Sequence, residues 1–281
     1  MTGQLDRIIE LEKLFNTSKQ ILSSKKVAIA SGKGGTGKTF FASNLAYQLS
    51  KTKKILLIDL DFNLANIHLL FNSHPQKTLT DYFESRNLFE EVVTKHNSNL
   101  HLIFGEAGYS DKDLPSYKQI NTMLDEVDKL SEKYDLILFD LGAGISKENI
   151  FVLSRSDIKV IVATPEPTAL MDAYVVIKQL IAGSAEENIF VTINRVIESD
   201  EAEQAFDNLK TAVNHFLKTR IDFLVSIPES LQIRKSIIEQ NLYTKQQKTD
   251  IVVEAFSSAI HKINKINQVF NINHPSLEPS L

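Results

Sequence analysis

Seven short runs of this chain are almost wholly apolar, and longer segments with helical spacing separate most of them. The runs are Val27 to Ala30, Ile55 to Asp59, Leu100 to Phe104, Leu136 to Asp140, Lys159 to Thr164, Ile189 to Asn194 and Phe223 to Ile227. Continuous rather than alternating apolarity is what strands covered on both faces require. Apolar residues recur at helical spacing over Phe41 to Ser50, Ile120 to Lys133, Ala169 to Ala182, Ala202 to Lys218 and Val252 to Val269. Strands alternating with helices predict an α/β fold: a doubly wound, mostly parallel sheet flanked by helices, with its ligand at the carboxyl ends of the strands. Residues 1–24 form an expected amphipathic helix and linker, with Leu5, Ile8, Ile9 and Phe15 along one face. Residues 25–270 form the main domain, and 271–281, with Pro275 and Pro279, a loosely ordered tail.

Composition changes this picture little but excludes much. With 31 Lys and Arg against 35 Asp and Glu, the net charge of −4 provides no bulk basic field for nucleic acid. The absence of cysteine excludes disulfides, thiolate zinc and cysteine-held clusters. His68, His96, His101 and His215 lack ligand-like spacing. No apolar run approaches about eighteen residues and Met1 to Phe15 is not a secretory leader, so a cytoplasmic location is expected.

The chemistry begins between the first strand and the first helix. Gly32-Lys33-Gly34-Gly35-Thr36-Gly37-Lys38-Thr39 satisfies G-x-x-x-x-G-K-[ST] in the strand-to-helix context that the motif needs. Glycines let backbone N–H groups turn inward around phosphate oxygens, and the helix N-terminus adds its positive end. Lys38 supplies a mobile charge and Thr39 a hydroxyl for Mg²⁺. A nucleoside triphosphate is the expected ligand, against the plainer alternative of a glycine-rich turn. Asp59 and Asp61 close one strand and Asp140 another; acids at strand ends are costly unless they face the edge where the loop sits. One of the first pair, Asp59 above all, would alternatively cap the following turn. Gly142 and Gly144 follow Asp140 as a backbone able to respond to phosphate.

Lys33 to Thr39, K-G-G-x-G-K-T, resembles the deviant phosphate loop of the MinD/ParA ATPases. That resemblance implies that Lys33 reaches across a nucleotide-sandwich dimer, that Asp61 positions the attacking water, and that Asp59 and Asp140 support Mg²⁺ with Thr39. It also places Asn194 and Arg195 near the base, with Pro228 and Glu229 on its other side, and gives ATP as the nucleotide. Asp59-Leu60-Asp61 through Ala65-Asn66, Asp140-Leu141-Gly142-Ala143-Gly144-Ile145-Ser146 and Thr164-Pro165-Glu166-Pro167-Thr168 through Asp172-Ala173-Tyr174 together look like the FlhG/FleN family of flagellar-number regulators. The implied activity is a slow ATPase that forms an ATP-dependent homodimer. The implied partners are an FlhF-like GTPase, switch or C-ring components, or a flagellar transcription activator. The alternative is a spatial-partitioning ParA or MinD protein acting on DNA or membrane. DNA is disfavoured by charge. Contact with the inner face of the cell membrane stays open through Ile260, Ile263 and Ile266 with His261, Lys262 and Lys265, although a packed core helix explains that pattern more simply.

Three departures from the family stand out. Phe40 follows the loop threonine where relatives carry Thr, Ser or Asn, so a contact to the α-phosphate is expected to be lost. Asn63 and His68 replace a common glycine and acid. Near the N-terminus Gly3-Gln4-Leu5-Asp6-Arg7-Ile8-Ile9 keeps only the glutamine of the family's GTPase-stimulating motif. For Asp172 and Tyr174, partner readout and ordinary helix packing are equal alternatives.

Overall fold

The computed structural model describes residues 25–272 apart from 63, 107–113, 184 and 248, with side chains described to 266. The expected N-terminal helix, the GTPase-stimulating motif and nearly all of the tail therefore lie outside the described residues.

One eight-stranded sheet runs through the domain. In chain order its strands are β1 (Lys25–Ser31), β2 (Ile55–Leu60), β3 (Thr94–Lys95), β4 (Leu100–Ile103), β5 (Leu136–Ala143), β6 (Ile158–Ala163), β7 (Ile189–Val196) and β8 (Asp222–Pro228). The spatial order is β3-β4-β2-β5-β1-β6-β7-β8, and every pairing is parallel except β3 with β4. The short edge strand β3 was not foreseen, because two residues carry no pattern. β1 lies near the centre, between β5 and β6.

Alternation along β1 divides the core in two. Val27 and Ile29 face one apolar cluster with Phe41, Leu45 and Phe256; Ala28 and Ala30 face another with Val152, Ala173 and Ile177. Helices cover both faces: α1 (Lys38–Leu49), α2 (Ile67–Leu70), α3 (Leu79–Phe83), α4 (Tyr117–Leu130), α5 (Lys147–Ser154), α6 (Pro167–Ala182), α7 (Glu201–Ala212), α8 (Leu231–Ile238), α9 (Tyr243–Gln246) and α10 (Ile251–Ile272). The helical pattern expected to reach Lys218 changes to a π-turn over Val213–Leu217 and ends at Lys218, whose φ of 57° reverses the chain.

α1 is buried all round, so its polar positions need partners. Asn44 donates to the Phe40 carbonyl, and its Oδ1 accepts from the Thr244 N–H and hydroxyl at 2.9 and 3.0 Å. Phe40 itself is 5% exposed and packs against Tyr243 and Phe256 at ring separations of 6.5 and 6.2 Å. An aromatic residue at this position thus fastens α9 and α10 to the helix that leaves the loop. Phe40→Ala is expected to lower stability by about 3–5 kcal/mol, measured by urea unfolding, with Phe40→Leu costing much less.

α10 settles against the sheet. Ile263 is fully buried, and Lys262 donates to the Phe223 and Leu224 carbonyls at 3.0 and 2.7 Å. Through Ile266 this segment is a packed helix. Among the described residues no helix is long and apolar enough to cross a membrane.

Candidate functional site

The parallel strands deliver their carboxyl ends to one edge, and the expected site residues gather there. β1 ends at Ser31, the chain turns through Gly32–Gly37, and α1 starts at Lys38. Gly35 and Gly37 take φ of 78° and 86°, a region L side chains rarely adopt. Gly34 and Gly35 are exposed at the rim, whereas Thr36 and Lys38 are buried.

Two distant segments brace this loop. Asn194, at the end of β7, donates its amide to the Thr36 carbonyl at 2.7 Å, and a Cβ on Gly37 would lie 2.1 Å from that amide nitrogen. A Cβ on Gly32 would lie 2.4 Å from the backbone of Asp172 in α6. Sequence reasoning placed Asn194 beside a base and missed its brace. It left Asp172 undecided between readout and packing, and here Asp172 packs backbone to backbone on the loop.

The three acids and Lys38 converge. Parallel pairing sets Asp59 beside Asp140, and Lys38 Nζ donates to Asp140 Oδ1 at 2.6 Å, with side chains 6% and 0% exposed. The other Asp140 oxygen is buried without a partner among the described residues, as is the Thr36 hydroxyl. Burial pushes the Asp140 carboxyl up, against the Lys38 charge and hydrogen bonds from Lys38 and Thr39. Asp61 is half-buried and accepts the Leu64 N–H at 2.9 Å; its Oδ1 lies 3.5 Å from where a Gly142 Cβ would stand. Gly142 falls within β5, which runs past Asp140 to Ala143, and Asn149 donates to its carbonyl at 2.9 Å.

Asp59 also shapes its own loop, as the capping alternative required. Its oxygens accept the N–H groups of Asp61, Asn66 and Ile67, each at 3.1 Å. Burial, and then the Asp140 charge, raise its pKa from 3.8 to about 7. Between these values the folded chain holds a proton that the unfolded chain has lost. The stabilisation is therefore complete below about pH 4 and is lost as pH rises through about 7. Without added nucleotide or Mg²⁺, urea stability should fall from pH 5 to 8 more steeply in the wild type than in Asp59→Asn.

Lys33 stands apart from Lys38. It is half-buried at the rim and donates to the Thr168 hydroxyl at 3.2 Å, at the start of α6. Close by, Thr164 hydrogen-bonds Glu166.

Beside the loop a cavity of about 350 Å³ is lined by Gly37, Phe40, Asn194, Arg195, Pro228 and Glu229. All four residues expected to surround a base are in it. Its far wall is α8, with Ile233, Arg234, Ile237 and Ile238. Sequence reasoning missed this helix; the one available signal was Ser230, whose hydroxyl accepts the Gln232 N–H as an N-cap.

A phosphate group suits this arrangement: a glycine turn with left-handed Gly35 and Gly37, no room for a Cβ at Gly37 against Asn194, a buried lysine, and a helix N-terminus. The hard-oxygen set of Thr39, Asp59 and Asp140 suits Mg²⁺, which takes a few protein oxygens and completes its shell with phosphate and water. Among the described residues no three His, Cys, Asp or Glu form a self-sufficient metal cage.

Sheet order, loop and strand-end carboxylates define a phosphate-loop nucleoside triphosphatase. Residues 24–193 match the family model described as AAA domain, AAA_31. The chain is 31% identical to the flagellum site-determining protein YlxH of Helicobacter pylori, covering 93% of this chain and 87% of that protein. It is 25% identical to the antiactivator FleN of Pseudomonas aeruginosa, covering 85% of each. The crystal structure of the cell division ATPase MinD of Pyrococcus furiosus superimposes with a TM-score of 0.73 at 25% identity, covering 86% of this chain and 99% of that one. The chain belongs to the FlhG/FleN flagellar-regulator family within the MinD/ParA group of ATP-binding phosphate-loop ATPases.

Proposed function

We propose that this protein is a slow, ATP-driven dimerising switch that regulates the number or placement of flagella and the assembly of flagellar parts. The observation that carries the reading is the different situation of the two loop lysines. Lys38 is held inside its own site by Asp140, whereas Lys33 stands at the rim beside exposed Gly34 and Gly35. A second copy set against this face would bring its phosphates to Lys33, with Thr168 releasing the lysine.

Within one site, Lys38 and the loop N–H groups hold the β- and γ-phosphates, and Thr39, Asp59 and Asp140 hold Mg²⁺ directly or through water. Mg²⁺, when bound, neutralises charge on the phosphate oxygens. Asp61 orients the attacking water. Gly142, against which Asp61 lies, belongs to the segment that answers loss of the γ-phosphate. Asn194, with its amide nitrogen on Thr36, keeps its oxygen to accept from the 6-amino group of adenine, and Arg195 stacks on the ring. ATP binding energy thereby favours the paired state, and hydrolysis ends it.

The test is affinity capture from the native organism's lysate with Asp61→Ala as bait, ATP and Mg²⁺ present, against Lys38→Ala. Specific recovery of an FlhF-like GTPase, switch or C-ring components or a flagellar transcription activator supports the reading. Recovery of DNA, partitioning adaptors or membrane division factors overturns it in favour of a ParA- or MinD-type partitioner.

A further inference from the structure

α8 meets the core through Ile233, while Leu231, Ile237 and Ile238 stay exposed. Of its eight residues only Ser236 is buried, and Ile233, Ile237 and Ile238 are turned to the cavity beside the loop. Leaving apolar surface on an open cavity is unfavourable unless something apolar and flat enters it. A nucleoside base does so, and the phosphate that joins it to the loop must then cross the boundary between Gly37, Phe40 and α8.

That boundary needs positive charge. Phe40, the α1 side chain there, is packed into the Tyr243 and Phe256 rings and presents no polar atom. Two guanidinium groups line the cavity. Arg195 has its Nε 3.9 Å from Glu229 Oε2. Arg234 is exposed and, among the described residues, has no carboxylate within salt-bridge distance.

We propose that Arg234 is a nucleotide-binding residue that holds the α-phosphate from the α8 side, in place of a polar contact that Phe40 does not offer. The assignment rests on the ATP reading above. The planar guanidinium fork matches two phosphate oxygens, and its position on a cavity wall, rather than on the loop, makes it sensitive to the first phosphate but not to the base. α8 thus serves the nucleotide twice, with isoleucines for the base and an arginine for the adjoining charge.

Competition against a fluorescent ATP analogue tests this with adenosine, AMP and ATP on the wild type, Arg234→Ala, Arg234→Lys and Arg195→Ala. Arg234→Ala should weaken AMP and ATP by about 10- to 100-fold, leave adenosine within about 2-fold, and be partly restored by Arg234→Lys. Arg195→Ala should weaken adenosine and AMP alike. Equal losses for adenosine and AMP in Arg234→Ala, or no loss for either, overturn the assignment while ATP binding by the wild type keeps the nucleotide reading intact. A wild type that binds no ATP removes both. Circular dichroism of Arg234→Ala should match the wild type, since the side chain is exposed.

Discussion

Asp61→Ala should bind ATP within a few-fold of the wild type and hydrolyse it about 10²- to 10⁴-fold more slowly, the range lost when a positioned acid–base group is removed. The separation of binding from turnover follows from where the side chain stands. The Asp61 side chain takes no part in the Lys38–Asp140 pair, and the one hydrogen bond described for that side chain is from the Leu64 N–H of its own loop. Removing it costs about 1 kcal/mol of local order. Single-turnover phosphate release, read beside equilibrium ATP binding, checks the prediction. Equal loss in both would make Asp61 a structural residue.

Gly37→Ala should do the reverse and abolish binding, by about 10²-fold or more, because two penalties fall on one atom. The position has φ of 86°, which costs an alanine about 1–2 kcal/mol, and the new Cβ would lie 2.1 Å from the Asn194 amide nitrogen. Asn194 must withdraw, the Thr36 carbonyl loses its partner, and the cradle shifts by a distance that phosphate recognition does not tolerate. Calorimetry with ATP should show little heat, and thermal unfolding should show a lowered Tm. Asn194→Ala loses the brace without adding the clash, so it should lie between wild type and Gly37→Ala.

Apart from the two-residue β3, the strands were legible because most are buried on both faces, and so read as largely unbroken apolar runs in an otherwise mixed chain. Helix α8 was not, because Leu231–Ile238 lies largely over a cavity, with Ile233 on the core and Leu231, Ile237 and Ile238 exposed, so its apolar residues mark no clean buried stripe. Within the site, residues Gly32 to Thr39 announce themselves because a phosphate cradle is a local device of one turn. Its supports are not local. Asn194 lies 158 positions from Thr36, and Asp172 meets Gly32 only because β6 is laid beside β1. Sheet order creates those contacts, and sheet order is not written in any short window. Phe40 illustrates the same limit: beside the loop it reads as a missing phosphate contact, whereas the fold makes it the attachment of α9 and α10.

Lys262 has a bearing on how this chain meets copies of itself. β8 is an outer strand, and a bare outer strand is an invitation for another chain to add a strand of its own. The ammonium group on the Phe223 and Leu224 carbonyls occupies two of its acceptors. At the opposite margin β3 is only two residues long and includes Lys95. Both margins of the sheet are thus poor templates for fibre growth. On the proposed reading, self-association would fall to the face that carries the phosphate loop, where hydrolysis would undo it, and a high local concentration of the protein need not become an aggregate.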